Sequence, residues 1–218
     1  MDTKDYLRLL RDRIHSTVMA TLDAEGRPIT RAIDIMLADD DSLYFLTARG
    51  KEFYDQLTAQ KYIALTGLMG GEGLGAEEAT LHKTSVSLRG TVESIGDEKL
   101  AQCFEQNPYM AAIYPDPESR KVLEIFRIKD AVGEFFEIAD GAVTRKSFAL
   151  GSCAAQAQDT AVFMIGEGCI GCGACATACP QQCIDGSGLP FRIDQEHCIH
   201  CGNCEQHCPS GAIVRRQK

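Results

Sequence analysis

Cys169-Ile-Gly-Cys172-Gly-Ala-Cys175-Ala-Thr-Ala-Cys179-Pro180 decides the C-terminal fold together with its echo, Cys198-Ile-His-Cys201-Gly-Asn-Cys204-Glu-Gln-His-Cys208-Pro209. Each run reads C-x2-C-x2-C-x3-C-P. The offsets 198 − 169 and 208 − 179 are both 29 residues, so the second run is an internal repeat of the first. Eight of the eleven cysteines fall in these runs. Clustering of this kind reads as metal ligation, because disulfide frameworks belong to oxidising compartments. Met1–Leu10 also lacks the apolar core of an export signal, and the expected location is the cytoplasm.

The spacing is that of a protein holding two [4Fe–4S] clusters, each cubane needing four thiolates. Three cysteines of one run wrap one cube in a tight loop. The fourth, with its backbone fixed by Pro180 or Pro209, reaches across to the other cube. The expected sets are therefore Cys169, Cys172, Cys175 and Cys208 for the first cluster, and Cys198, Cys201, Cys204 and Cys179 for the second. Gly173 and Gly202 match across the repeat, as do Ile170 with Ile199 and Ile184 with Ile213, the isoleucines shielding the cubes from water. Zinc is the competing reading of paired C-x2-C units, but four ligands per ion do not call for eight in this order. Cys183 has Ala212 as its repeat mate, so it is expected to fill a small buried slot. Cys103 and Cys153 are expected to play no special part. This module, from about residue 161 to the end, resembles the bacterial-type two-cluster ferredoxins. That likeness implies a small α+β domain.

The rest of the chain reads differently. Residues 4–15 have the apolar period of a helix, and strands are expected over 16–22, 29–37, 43–47, 62–68, 85–95, 122–128, 132–138 and 142–148. Helices are expected near 50–60 and 97–106, and Asp140-Gly141 is a tight-hairpin signal. The connections are short, which favours a small antiparallel barrel with a few helices over a parallel sheet. Residues 69–79 read as a mobile glycine-rich loop without the strand–helix setting of a nucleotide fingerprint. Residues 151–160 read as a linker. The formal charge of −9 argues against nucleic acid and anionic membrane surfaces. No stretch approaches the ~20 apolar residues of a membrane span.

Five segments carry a second resemblance, covering residues 5–148. They are Ser16-Thr-Val-Met-Ala-Thr-Leu-Asp23, Gly26-Arg-Pro28, Arg31-Ala-Ile-Asp34, Leu43-Tyr-Phe-Leu-Thr-Ala-Arg-Gly-Lys51 and Leu88-Arg-Gly-Thr-Val92. Together they resemble the pyridoxamine 5′-phosphate oxidase family. The resemblance implies a mainly β split barrel with a few helices over residues 1–150, a homodimer, and FMN held between subunits. Arg31 and Lys51 would then bind the FMN phosphate, as suits cations facing a dianion. Ala32, Ile33 and Asp34 would flank the isoalloxazine ring. Leu46 and Thr47 would follow, with Arg49 and Gly50 shaping the turn that holds Lys51, and Ser85 and Ser87 offering polar groups from a neighbouring strand. His82 and Lys83 would lie near the flavin face. The oxidase's C-terminal arginine and histidine substrate contacts have no counterpart before the linker, so pyridoxamine phosphate oxidation itself is not expected.

Joined, the halves suggest a flavin–iron–sulfur oxidoreductase exchanging electrons with a redox carrier protein or a small-molecule donor or acceptor. A non-enzymatic flavin or tetrapyrrole binder that senses redox state is one alternative. A deazaflavin-dependent reductase on the same barrel is the other.

Overall fold

The computed structural model describes residues 1–153 and 161–216, so the expected linker lies outside the described residues from 154 onward. The described residues form two compact units. The first takes residues 1–69, 85–135 and 147–153; the second takes 70–84, 136–146 and 161–216. The second is thus assembled from three separated stretches of chain.

The first unit opens with α1 (Thr3–Leu9), started by a capping box in which the Asp5 amide donates to Asp2 and the Asp2 amide to Asp5. It continues as a π-helical turn, Leu10–Ile14. The helix buries Tyr6, Leu7 and Leu10, and Tyr6 stacks on Phe148 with ring centres 4.9 Å apart. There follow β1 (Ser16–Leu22), β2 (Pro28–Asp34), β3 (Leu37–Ala38), β4 (Leu43–Ala48), α2 (Glu52–Gln60) and β5 (Tyr62–Met69). Along β1 the buried residues Thr17, Met19 and Thr21 alternate with more exposed ones, the period-2 pattern of a half-buried strand.

The expected loop at 69–79 contains part of a short helix, α3 (Ala76–Thr80), and leads into β6 (His82–Ser94). Helices α4 (Leu100–Gln106), α5 (Met110–Ile113) and α6 (Pro117–Arg120) come next, the last two not anticipated. Strand β7 (Leu123–Ala139) is one strand of 17 residues where two were expected. Strand β6 approaches it closely at Gly90, where a Cβ would overlap the Asp130 carbonyl and Ala131. The turn Asp140-Gly141, both residues at positive φ, returns the chain into β8 (Ala142–Leu150).

These strands make one mainly β sheet in the order β2-β1-β5-β6-β7-β4-β3, with β8 also paired to β7. Its larger core holds Met19, Phe45, Leu57, Ile63, Val86 and Phe126, and a smaller one gathers Tyr44, Cys103 and Ile125. Cys103 is fully buried, and burial pushes its thiol up to about 12, in keeping with packing.

In the second unit the C-terminal stretch adds β9 (Phe163–Ile165), α7 (Ala174–Ala178), β10 (Ile184–Asp185), β11 (Arg192–Ile193), α8 (Asn203–Gln206) and β12 (Ile213–Arg215). β12 pairs antiparallel with β9, and β10 with β11. Phe163, Cys175, Cys204 and Ile213 form its small core. Among the described residues no helix is long and apolar enough to cross a membrane.

Candidate functional site: two thiol-lined cavities and the surroundings of Arg31

The repeat folds as a pair of loops, each passing through a left-handed glycine, Gly173 at φ +78° and Gly202 at φ +82°, before α7 or α8 begins. These loops close around two cavities. One is lined by Cys169, Cys172, Cys175 and Cys208, with Ile170 and Ile213 beside them. The other is lined by Cys198, Cys201, Cys204 and Cys179, with Ile184 and Ile199. The fourth cysteine of each run thus faces the cavity of the other run.

Among the described residues no three His, Cys, Asp or Glu side chains converge closely enough to hold a single metal ion. Tetrahedral zinc, with Zn–S bonds of about 2.3 Å, would require such convergence. Four thiols spread around a wider space suit the corners of a cubane. Burial raises the thiols of Cys175, Cys198 and Cys204, so metal binding there must displace protons.

Cys183 sits in the slot that its repeat mate predicts, and both it and Ala212 are 8% exposed. It also lines the second cavity, with Sγ 3.5 Å from Cys179 Sγ.

Of the residues expected to meet FMN, all lie in the first unit except His82 and Lys83, which belong to the second. Arg31, on β2, donates to Thr21 Oγ1 at 2.8 Å and to Gln56 Oε1 at 3.0 Å, with its guanidinium 4.3 Å from the centre of the Phe53 ring. Desolvation lowers its pKa, partly opposed by attraction to Glu52. Phe53 stacks on Phe45 of β4 at 6.0 Å, and Thr47 lies two residues on, on the same face of that strand. Thr47 Oγ1 is buried without a hydrogen-bond partner among the described residues. A buried hydroxyl in that state is costly, and a ligand oxygen would satisfy it.

Lys51 precedes α2 as its N-cap residue, and its side chain is exposed. The turn before it is tied down by Arg49, which donates to Glu124 Oε2 at 2.7 Å and to the Lys121 carbonyl at 2.8 Å. Glu124 also accepts from Ser94 and, at 3.2 Å, from Tyr54. Burial alone would raise the Glu124 carboxyl, but these bonds hold it below the usual range.

At the end of β2, Asp34 accepts from Ser16 at 2.5 Å and from Tyr109 at 2.8 Å, and His15 meets the same Tyr109 hydroxyl at 2.8 Å. Ala32 and Ile33 pair with Val18 and Thr17 of β1. Leu46 packs against the smaller core. Ser85 lies half-buried on β6, with no side-chain hydrogen bond to Arg31, Thr47 or Lys51 among the described residues. His82 stands 3.9 Å from Asp140 at the hairpin turn.

Thr21, Gln56 and Glu124 were not anticipated. Gln56 did leave a trace: it breaks the apolar stripe Phe53-Gln56-Leu57 at helical spacing.

A family model described as pyridoxamine 5′-phosphate oxidase matches residues 3–130, more than half of the chain. The chain belongs to that family. A second model, the 4Fe-4S dicluster domain, matches residues 168–212. No curated protein matches the chain. Among solved structures, a NimC/NimA family protein from Clostridium acetobutylicum is 17% identical, with a TM-score of 0.50 over 67% of this chain and 91% of its own. A heme binding protein from Mycobacterium smegmatis is 15% identical, with a TM-score of 0.50 over 67% of this chain and 58% of its own. At these identities the likeness establishes the split-barrel fold. The family's barrel and the dicluster domain in one chain make this an iron–sulfur redox protein.

Proposed function

We propose that the protein is a flavin–iron–sulfur oxidoreductase. Electrons pass between an external low-potential carrier, two [4Fe–4S] clusters and FMN, and a small donor or acceptor reacts at the flavin. The observation that carries the reading is the crossed sharing of eight thiols between two cavities, in a chain whose first unit also holds Arg31 and the unsatisfied buried hydroxyl of Thr47.

When bound, FMN exchanges electrons in pairs or singly and each cluster exchanges one, so the pair converts between two-electron and one-electron carriers. The chain's own part is to bind and orient. Arg31, held by Thr21 and Gln56, and Lys51 at the start of α2 receive the phosphate, with Thr47 Oγ1 donating to it. Ala32, Ile33 and Asp34 lie along the ring, while Leu46 and the turn Arg49-Gly50 hold the site's shape. Ser85 contributes from β6. One chain carrying both groups keeps donor and acceptor at high effective concentration.

A homodimer fits the open face of β1 and its neighbours. There Val18 stands between Ala32 and Thr66, Ala20 between Thr30 and Ala64, and Leu22 beside Pro28, with exposed Leu68 and Tyr62 on β5. This uncharged apolar face suits burial against a second copy. A reducing cytoplasm fits the eight thiols. The reading takes a substrate other than pyridoxamine phosphate, since no segment before residue 151 matches the oxidase's C-terminal arginine and histidine contacts.

The double variant Arg31→Ala/Lys51→Ala should lose FMN, by at least tenfold in affinity, while its iron content stays at the wild-type level. Unchanged flavin occupancy would reject the phosphate assignment. A tetrapyrrole or a deazaflavin extracted from the wild-type protein would replace FMN in this reading.

A further inference from the structure

The two cysteine loops are repeats, and the second is gripped by another part of the second unit through side chains that the first mostly lacks. The tip of the β7–β8 hairpin, residues 136–146, packs there. The Arg145 amide donates to the Glu196 carbonyl at 2.7 Å, and Lys146 pairs with the Glu196 carboxylate at 3.2 Å. His197 Nδ1 donates to the Val143 carbonyl at 2.7 Å, and the Val143 amide donates to Gln181 Oε1 at 3.1 Å. The Arg145 guanidinium donates to His200 Nδ1 at 2.5 Å. A guanidinium has no acceptor, so the imidazole nitrogen is the acceptor here.

All of these contacts fall on segments around the second cavity. Gln181 lines it, and residues 196–200 lead into and through Cys198.

The repeat explains how one loop came to differ. Shifted by 29 residues, His197 corresponds to Gly168, His200 to Gly171 and Gln181 to Ser210. Three of the side chains that meet the hairpin are therefore absent or shorter on the first-cavity side, whereas Glu196 has an identical mate in Glu167. His200 even keeps the left-handed backbone of its mate, φ +56° against +69° for Gly171. That conformation is uncommon for a residue with a side chain, and the surroundings must hold it. Arg145, bonded to the imidazole, is part of that hold.

We propose that the hairpin tip is a clasp on the second iron–sulfur loop, with Arg145 as its positioning residue, and that it makes the cluster bound by Cys198, Cys201, Cys204 and Cys179 the more easily reduced of the two. The inference rests on the reading that both cavities hold cubanes. Reduction by one electron from an external donor adds one negative charge to a cluster. Net charge, hydrogen bonding and solvent exposure around the sulfurs set its potential. Each cavity has a backbone donor to a thiol, the His200 amide to Cys198 Sγ at 3.4 Å and the Ala212 amide to Cys208 Sγ at 3.3 Å, and the second also has Cys183 Sγ 3.5 Å from Cys179 Sγ. The guanidinium, bonded to the side chain lying between Cys198 and Cys201, separates the two clusters, since a cation there favours the more negative state.

The test is a redox titration of the full-length protein with dithionite, followed by electron paramagnetic resonance, with iron measured in parallel. Arg145→Gln should keep about eight irons per chain and lower only the higher of the two potentials, on the order of tenfold in the reduction equilibrium, or about 59 mV for one electron. Arg145→Lys, which keeps the charge, should stay near wild type. Eight irons with neither potential moved, or with both moved equally, would overturn the proposal. A fall in Arg145→Lys as large as that in Arg145→Gln would overturn the assignment to charge. Wild-type protein without two clusters would instead fail the cubane reading itself.

Discussion

Replacing Cys208 by serine is expected to cost about half of the bound iron, and the half lost is held mainly by the other run. Cys208 lines the cavity of Cys169, Cys172 and Cys175, 33 to 39 residues earlier in sequence. The sharp form of this prediction is a pair of double variants. Cys169→Ser and Cys208→Ser remove ligands from one cavity, so combining them should leave about four irons, as each does alone. Cys169→Ser with Cys198→Ser strikes both cavities and should leave almost none. If each run instead served its own cluster, Cys169→Ser/Cys208→Ser would empty the protein. Iron analysis after anaerobic reconstitution reads the difference directly.

The second large effect is expected at Glu124, far in sequence from either set of cofactor residues. Its carboxylate is 8% exposed and collects hydrogen bonds from Ser94, Arg49 and Tyr54. Glu124→Ala leaves these donors without their common acceptor and should cost about 2 kcal/mol, measured by denaturant unfolding. Through Arg49 the same change frees the turn before Lys51, so flavin affinity should fall while iron is retained. The pH dependence has a definite sign. The folded carboxyl titrates below its ordinary range, so its contribution is complete above that range and fades as pH drops through the lowered value. The acid limb of the wild-type stability curve should therefore be steeper than that of Glu124→Ala. Parallel limbs would contradict the role given to the network.

What the sequence made legible follows from the range over which each feature is determined. The cysteines that line the two cavities could be picked out because cubane binding demands several thiolates within one tight loop. Arg31 and Thr47 are singled out only by the resemblance of the short motifs around them. The partners that hold them could not be read. Thr21 and Gln56 meet Arg31 from β1 and α2, and Glu124 meets Arg49 across 75 residues of chain. Two strands were expected where β7 is one, and the close approach of Gly90 on β6 to Asp130 and Ala131 at their junction is a contact that no local pattern announces. The hairpin clasp lay hidden for the same reason. His197 and His200 look like incidental histidines until Val143 and Arg145 are brought to them.

The most direct measurement is the cofactor content of the wild-type protein purified without oxygen. The account predicts about eight irons per chain, matched by acid-labile sulfide, together with extractable FMN. Stoichiometric zinc with iron near zero, or eight irons with no flavin of any kind, would contradict it.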